Sequence, residues 1–196
     1  MADPQGGEPV SVGFLWVIIA LLAFISLTVV GLTAPLELLL GDQVAAIRGA
    51  IHGTAAGLFM VTSTIGVFQA YRIATGKAAN IAELQIGSVV NAMMAILTVI
   101  SGNWVYIPYR APMGPRSHFL EVAPAVHNVF FEFKEFAALF TVPLAVVAAY
   151  LLVRYGRQLY RYRGLSTTVA VMLLLVFFYF TVAFGLGAAI TRLKSV

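Results

Sequence analysis

From Ser166 to Ile190 the chain carries no Asp, Glu, Lys or Arg, and the same holds for 12–32, 84–101 and 136–153. A hydrocarbon layer of ~30 Å needs about 20 apolar residues per helical span, and a backbone shielded from water must satisfy its own hydrogen bonds. Such stretches fold as membrane helices. The chain has 196 residues, 61% of them hydrophobic and 10% charged, where soluble domains are roughly a quarter charged. No length is left over for a separate soluble domain. The expected fold is all-α, a polytopic integral membrane helical bundle forming a single transmembrane domain over 1–196. About five transmembrane helices are expected, at 12–32, 49–71, 84–101, 125–153 and 166–190.

The connections carry the polar residues. Met1 to Val10 holds Asp3 and Glu8 but neither Lys nor Arg, so it lacks the basic start of a secretory signal and the first apolar segment is expected to be retained. Pro35 to Ile47 mixes Glu37 and Asp42 with four leucines, a composition suited to a short helix lying at the interface. From Gly102 onward Pro108, Pro112, Pro115 and Pro124 break the helical pattern, which predicts a long re-entrant or interfacial loop over 102–124. Pro143 predicts a kink in the fourth span.

Five spans place Arg72, Lys77, Arg154, Arg157, Arg161 and Arg163 on the N-terminal side, six basic residues against five for Arg48, Arg110, Arg116, Arg192 and Lys194. Four arginines in one short connector favour a cytoplasmic N-terminus. The expected location is the bacterial cytoplasmic (inner) membrane.

Several classes fall away. Basic residues spread over membrane connectors are topology signals rather than a nucleic-acid footprint, so nucleic acid is not an expected partner. The chain has no cysteine, which excludes disulfides, thiolate metal sites, iron–sulfur clusters and covalently attached c-type haem. No internal repeat of the kind that builds secondary transporters is visible, nor a nucleophile elbow or two-histidine zinc-protease motif.

What remains converges on one membrane face. Arg48 and His52 open the second span, Arg110, Arg116, His118 and Glu121 occupy the long connection, and His127, Glu132, Lys134 and Glu135 open the fourth span. Gly49, Gly53 and Gly57 recur at four-residue spacing around His52, leaving one stripe of that helix almost bare. A close contact with a neighbouring helix would use such a stripe. So would a flat porphyrin lying beside an axial histidine. In the second case His52 and His127 are the metal ligands of a b-type haem, with His118 as the fallback for His127. Gly49 and Gly53 then let the ring approach, and Arg48 or Arg110 neutralises a propionate. The alternative for both later histidines is an interfacial position in water.

Counted at 100° per residue from His127, Lys134 falls at about −20°, Glu135 at about 80° and Glu132 at about 140°. Lys134 is therefore expected on the His127 face with the glutamates beside it. Glu132 or Glu135 could take the proton released when a quinone-type redox centre is oxidised, with Lys134 balancing their charge. A structural ion-pair network would satisfy the same residues, and a non-haem metal held by His52, His127 and the glutamates is a third arrangement. Gln69, Asn91 and the run Thr62, Ser63, Thr64 are expected to hydrogen-bond between helices or within their own.

A handful of helices with two histidines near one face is similar to the small haem-b anchor subunits of respiratory oxidoreductases. That resemblance, an architectural one, implies a membrane-embedded electron-transfer or quinone-interacting subunit, an oxidoreductase subunit with haem b or quinone at the His52–His127 end. The alternatives are a non-catalytic membrane subunit that docks a protein partner, or a further copy of itself, through the charged cluster, and a small proton-coupled permease. In every case the lipid bilayer is the surrounding partner.

Overall fold

Asn80 accepts a hydrogen bond from the backbone N–H of Ala82 at 3.0 Å and opens a helix that runs from Ile81 to Tyr109, side-chain oxygens being the usual way to satisfy the free N–H groups of a first turn. The computed structural model describes residues 43–77 and 80–193. Helix α1 is Val44–Ala74, α2 is Ile81–Tyr109, α3 is the short Pro115–Val122, α4 is Glu132–Tyr155 and α5 is Arg163–Leu193. A π-helical segment, Val126–Phe131, leads directly into α4, and a 3₁₀ segment, Gly156–Arg161, follows it. Gly156, at φ 48°, and Gly76, at φ 68°, turn the chain out of α4 and α1 in the left-handed region that suits glycine.

The protein is all-α, with no strand among the described residues. Four of its helical segments, Val44–Ala74, Ile81–Tyr109, Val126–Arg161 and Arg163–Leu193, are long and apolar enough to cross a bilayer. The chain is an integral membrane helical bundle. The span expected at 12–32 lies outside the described residues, as does the interfacial helix expected at 35–47, except that 44–47 form the first turn of α1.

The four long segments pack in a ring, α1 against α2, α2 against α4, α4 against α5 and α5 back against α1. Chain direction alternates, so the start of α1, the end of α2, the start of α4 and the end of α5 share one face. Small residues let the helices approach. Ala55, Ala56, Ala92, Ala95, Ala145 and Ala149 surround the Phe59–Phe180 pair in the middle layer, whose rings lie 4.1 Å apart. Close van der Waals packing of this kind is what holds membrane helices together, because lipid offers no hydrophobic driving force between them. Leu58, Val61, Ile65 and Phe68 recur along α1 as its exposed, lipid-facing stripe.

Polar ties add register. Thr62 Oγ1 donates to Asn91 Oδ1 between α1 and α2, Gln69 Nε2 donates to the Glu83 carbonyl, and Gln85 Nε2 reaches the Leu152 carbonyl on α4. Ser63 and Thr64 return to the Met60 carbonyl of their own helix.

Two boundaries differ from the sequence reading. The connection expected over 102–124 is helical to Tyr109, with Pro108 inside the helix, and helical again from Pro115. The four spanning segments, 29 to 36 residues long, reach roughly 43–54 Å, well beyond a ~30 Å hydrocarbon core. The apolar tally stops at Ser101, but the helix continues to Tyr109. Pro108 is tolerated there because it stands one residue from the helix end and removes only the bond to the Trp104 carbonyl. Pro115 occupies the first turn of α3, where its missing N–H costs nothing. Helix α4 runs on through Pro143, and its helical path begins near Ala125, as the sequence suggests.

Candidate ligand cavity at one end of the bundle

Each of the four long helices presents a stripe at three- and four-residue spacing to the same space. Gly49, His52, Gly53 and Ala56 come from α1, Thr98, Gly102, Tyr106 and Tyr109 from α2. The α4 segment adds Phe131, Lys134, Glu135 and Ala138, and α5 adds Phe180, Ala183, Phe184 and Gly187. These residues wall a cavity of about 840 Å³, within the roughly 300–1,000 Å³ typical of small-molecule sites. Its lining is chiefly apolar and aromatic, and Ala56 and Phe180 at its inner end belong to the middle packing layer.

The glycines of α1 are not a helix contact among the described residues. A Cβ built on Gly49, Gly53 or Gly57 meets nothing within 4 Å, so the bare stripe fronts open space. Tight approaches occur instead on the facing helices. A Cβ at Gly102 would stand 3.0 Å from His52 Cε1, and one at Gly187 3.3 Å from Lys134 Cε. Those two glycines make room for the side chains that enter the cavity. We expect Gly53→Leu to leave the melting temperature of the purified protein within about 2–4 °C of wild type, a change of no more than about 1 kcal/mol. Unfolding of that variant would show that the glycine is a close helix contact after all.

His52 is tied to α2 through Ser101. Its Nδ1 lies 3.2 Å from Ser101 Oγ, and the Ser101 hydroxyl donates its only hydrogen to the Thr98 carbonyl at 3.1 Å. His52 Nδ1–H is therefore the donor to Ser101, and Nε2 keeps a free lone pair. Lys134 reaches the same cavity from α4. Among the described residues its ammonium makes no hydrogen bond and no ion pair within 4 Å. It stands 5.1 Å over the Phe131 ring, within electrostatic reach of Glu135 and His52. Glu135 lines the cavity too, in the field of Lys134, Glu132 and Arg110 and beside Tyr106. The Tyr106 hydroxyl is buried close to the Glu135 carboxylate and the Arg110 guanidinium, with no hydrogen bond of good geometry to a described residue, and Arg110 stacks over its ring at 4.6 Å.

His127 does not join them, which corrects the expected common face with Lys134. His127 lies within the π-helical segment, and the Glu132 N–H bonds the His127 carbonyl five residues back instead of four. The residue this inserts turns every later position by about 100° from an α-helical count. Lys134 and Glu135 consequently enter the cavity while His127, 1% exposed, turns to the end of α2 and to α3. Its Nδ1 pairs with the Tyr109 hydroxyl at 3.0 Å, and its Nε2 accepts from Arg116 Nε at 3.0 Å. Glu132 is 54% exposed, with Oε1 3.8 Å from the same Nε2, too long for a hydrogen bond. It stands outside the cavity. Arg48 stacks on Trp104 at 4.8 Å, Arg110 on Tyr106, and neither lines the cavity; His118 is exposed on α3.

The residues present do not fit a bis-histidine haem. His52 offers a free nitrogen to the cavity, but both nitrogens of His127 are engaged and His127 is not on the cavity wall. Among the described residues no group of three or more His, Cys, Asp or Glu is placed to hold a metal ion.

The sequence reading did not single out Gly102, Tyr106 and Tyr109 as a cavity wall. Their spacing of four and three is a helical stripe, legible once the helix is carried past Ser101. Arg116 and Tyr109 as partners of His127 had no sequence signal.

No family model matches the chain, and no curated protein and no solved structure is similar to it.

Proposed function

We propose that the chain is a membrane-embedded quinone-interacting subunit of an electron-transfer system, and that the cavity is its headgroup site. The observation that carries this is that His52 Nε2, an acceptor, and the Lys134 ammonium, a donor, neither hydrogen-bonded among the described residues, stand on different walls of one largely apolar cavity. A quinone headgroup is a flat apolar ring with an oxygen at each end, each of which accepts a hydrogen bond when oxidised and carries an O–H when reduced. Lys134 serves the first state and His52 the second. On oxidation of a bound quinol both O–H bonds break. One proton passes to His52 and the other to Glu135, and the electron pair goes to a redox centre of a partner subunit. The exposed group Arg110, His118, Glu121 and Glu132 at the same face offers that partner a charged docking surface.

The reading of the cavity as a haem site gives way to this one because neither His127 nor its fallback His118 lines the cavity. The permease reading needs a passage beyond the packed Phe59–Phe180 pair. By the positive-inside argument the arginine-rich segment 154–163 lies in the cytoplasm and the cavity opens toward the opposite face. Single cysteines at Ser117 and Gln158 in this cysteine-free chain, labelled from outside with an impermeant maleimide, read that orientation: Ser117→Cys should react and Gln158→Cys should not.

The function is tested by titrating a short-chain ubiquinone and a naphthoquinone into the protein in lipid nanodiscs. We expect saturable, one-to-one binding of at least one, lost in Gly53→Leu, whose side chain fills the cavity. Uptake no greater than that of empty nanodiscs would overturn the proposal.

A further inference from the structure

Arg116 does not touch the cavity, yet it bears on how a ligand there is held. A guanidinium only donates hydrogen bonds. Its Nε–H points to His127 Nε2 at 3.0 Å, so that nitrogen must present its lone pair and carry no hydrogen. The single hydrogen of the neutral imidazole is then on Nδ1, which faces the Tyr109 hydroxyl at 3.0 Å. Nδ1–H donates and the Tyr109 oxygen accepts. The hydrogen of Tyr109 itself is thereby turned away from His127, and it has no other acceptor among the described residues. Tyr109 lines the cavity, 1% exposed, its ring stacked 4.3 Å from Phe131. The other tautomer would set two N–H groups against each other at the Arg116 end, and an imidazolium would do so beside a second positive charge. Glu132, the remaining charged group at Nε2, is 3.8 Å away and half-exposed, so it does not compete on equal terms.

We propose that Arg116 and His127 are positioning residues which commit Tyr109 to donating its hydroxyl hydrogen to a ligand oxygen in the cavity. The inference rests on the quinone reading for the identity of that oxygen, a carbonyl, but not for the tautomer. It assigns a role to α3. The short helix carries Arg116 to the back of the wall, and Phe119 packs with Tyr109 and Phe131 to hold it there.

The geometry predicts non-additivity. Tyr109→Phe and Arg116→Met should each weaken quinone binding about 3–10-fold, the worth of one neutral hydrogen bond, and the double variant should be no weaker than either single one. Arg116→Lys keeps a donor-only group and should restore most of the affinity. Independently of any ligand, ¹⁵N spectra of histidine-labelled protein, its three histidines assigned with single His→Gln variants, should show His127 protonated on Nδ1 alone. Protonation on Nε2, or additive losses in the double variant, would overturn the relay and leave the quinone site standing. No quinone binding by the wild type, with His127 protonated on Nδ1, would overturn the quinone reading and leave the positioned donor in place.

Discussion

Lys134→Met should bind quinone about 10–100-fold more weakly than wild type while melting about 2–4 °C higher. The two effects have opposite signs because they arise from different terms. In the absence of ligand the ammonium is a charge near hydrocarbon whose company among the described residues is an aromatic face and a nearby carboxylate, an arrangement that costs stability. Methionine fills much of the same volume without that cost, and a gain of about 1 kcal/mol is the size of effect that moves a domain of this length by a few degrees. With a ligand oxygen in the cavity the same ammonium makes a charge-assisted hydrogen bond, worth about 1.5–3 kcal/mol, and each 1.4 kcal/mol is tenfold in affinity. A residue retained only as part of an ion-pair network behaves differently. Removing it would strand Glu135 and lower the melting temperature, with no bearing on quinone. Differential scanning fluorimetry alongside the nanodisc titration separates the two accounts.

His127→Leu should cost about 2–4 kcal/mol, seen as a drop in melting temperature of about 6–12 °C. Two partners lose their bonds at once, and the Tyr109 hydroxyl is left in a layer where His127 and Tyr109 are each 1% exposed. A buried group stranded in this way costs about 1–3 kcal/mol. Arg116, less buried, recovers part of its loss from water. The variant should also free α3 from its tether, so limited proteolysis should cut first within 110–125. A melting temperature within about 2 °C of wild type would show that the Tyr109–His127–Arg116 chain contributes little to holding this end of the bundle.

Much of the fold was legible because the bilayer imposes a single rule. Uncharged stretches near 20 residues have one low-energy structure in lipid, so α1, α2, α4 and α5 follow from counting, whereas the short α3 lies inside the stretch expected to be a loop. The alternating chain directions then gather Arg48, His52, Arg110, His127 and Lys134 at one face. The site was legible only in part. Counting at a fixed helical period put Lys134 with His127, and the period is not fixed. Six residues of π-helix between Ala125 and Glu132 rotate the later side chains, and no residue type in Val126–Phe131 announces that change. Similarly, Pro108 reads as a helix breaker until its position one residue from the end of α2 is known. The glycines were ambiguous in sequence, because an empty stripe suits a neighbouring helix and a ligand equally. Among the described residues, the space in front of Gly49 and Gly53 favours the ligand.

Photo-crosslinking tests most directly whether the four helices hold a quinone headgroup between His52 and Lys134, as proposed. A photoreactive azidoquinone would be illuminated with the wild-type protein in nanodiscs and its attachment mapped by mass spectrometry. Adducts are expected on the cavity stripes within 98–109, 131–138 and 180–191, suppressed by excess unlabelled quinone. Adducts confined to lipid-facing residues such as Phe68 and Phe178, and indifferent to the competitor, would contradict the proposal.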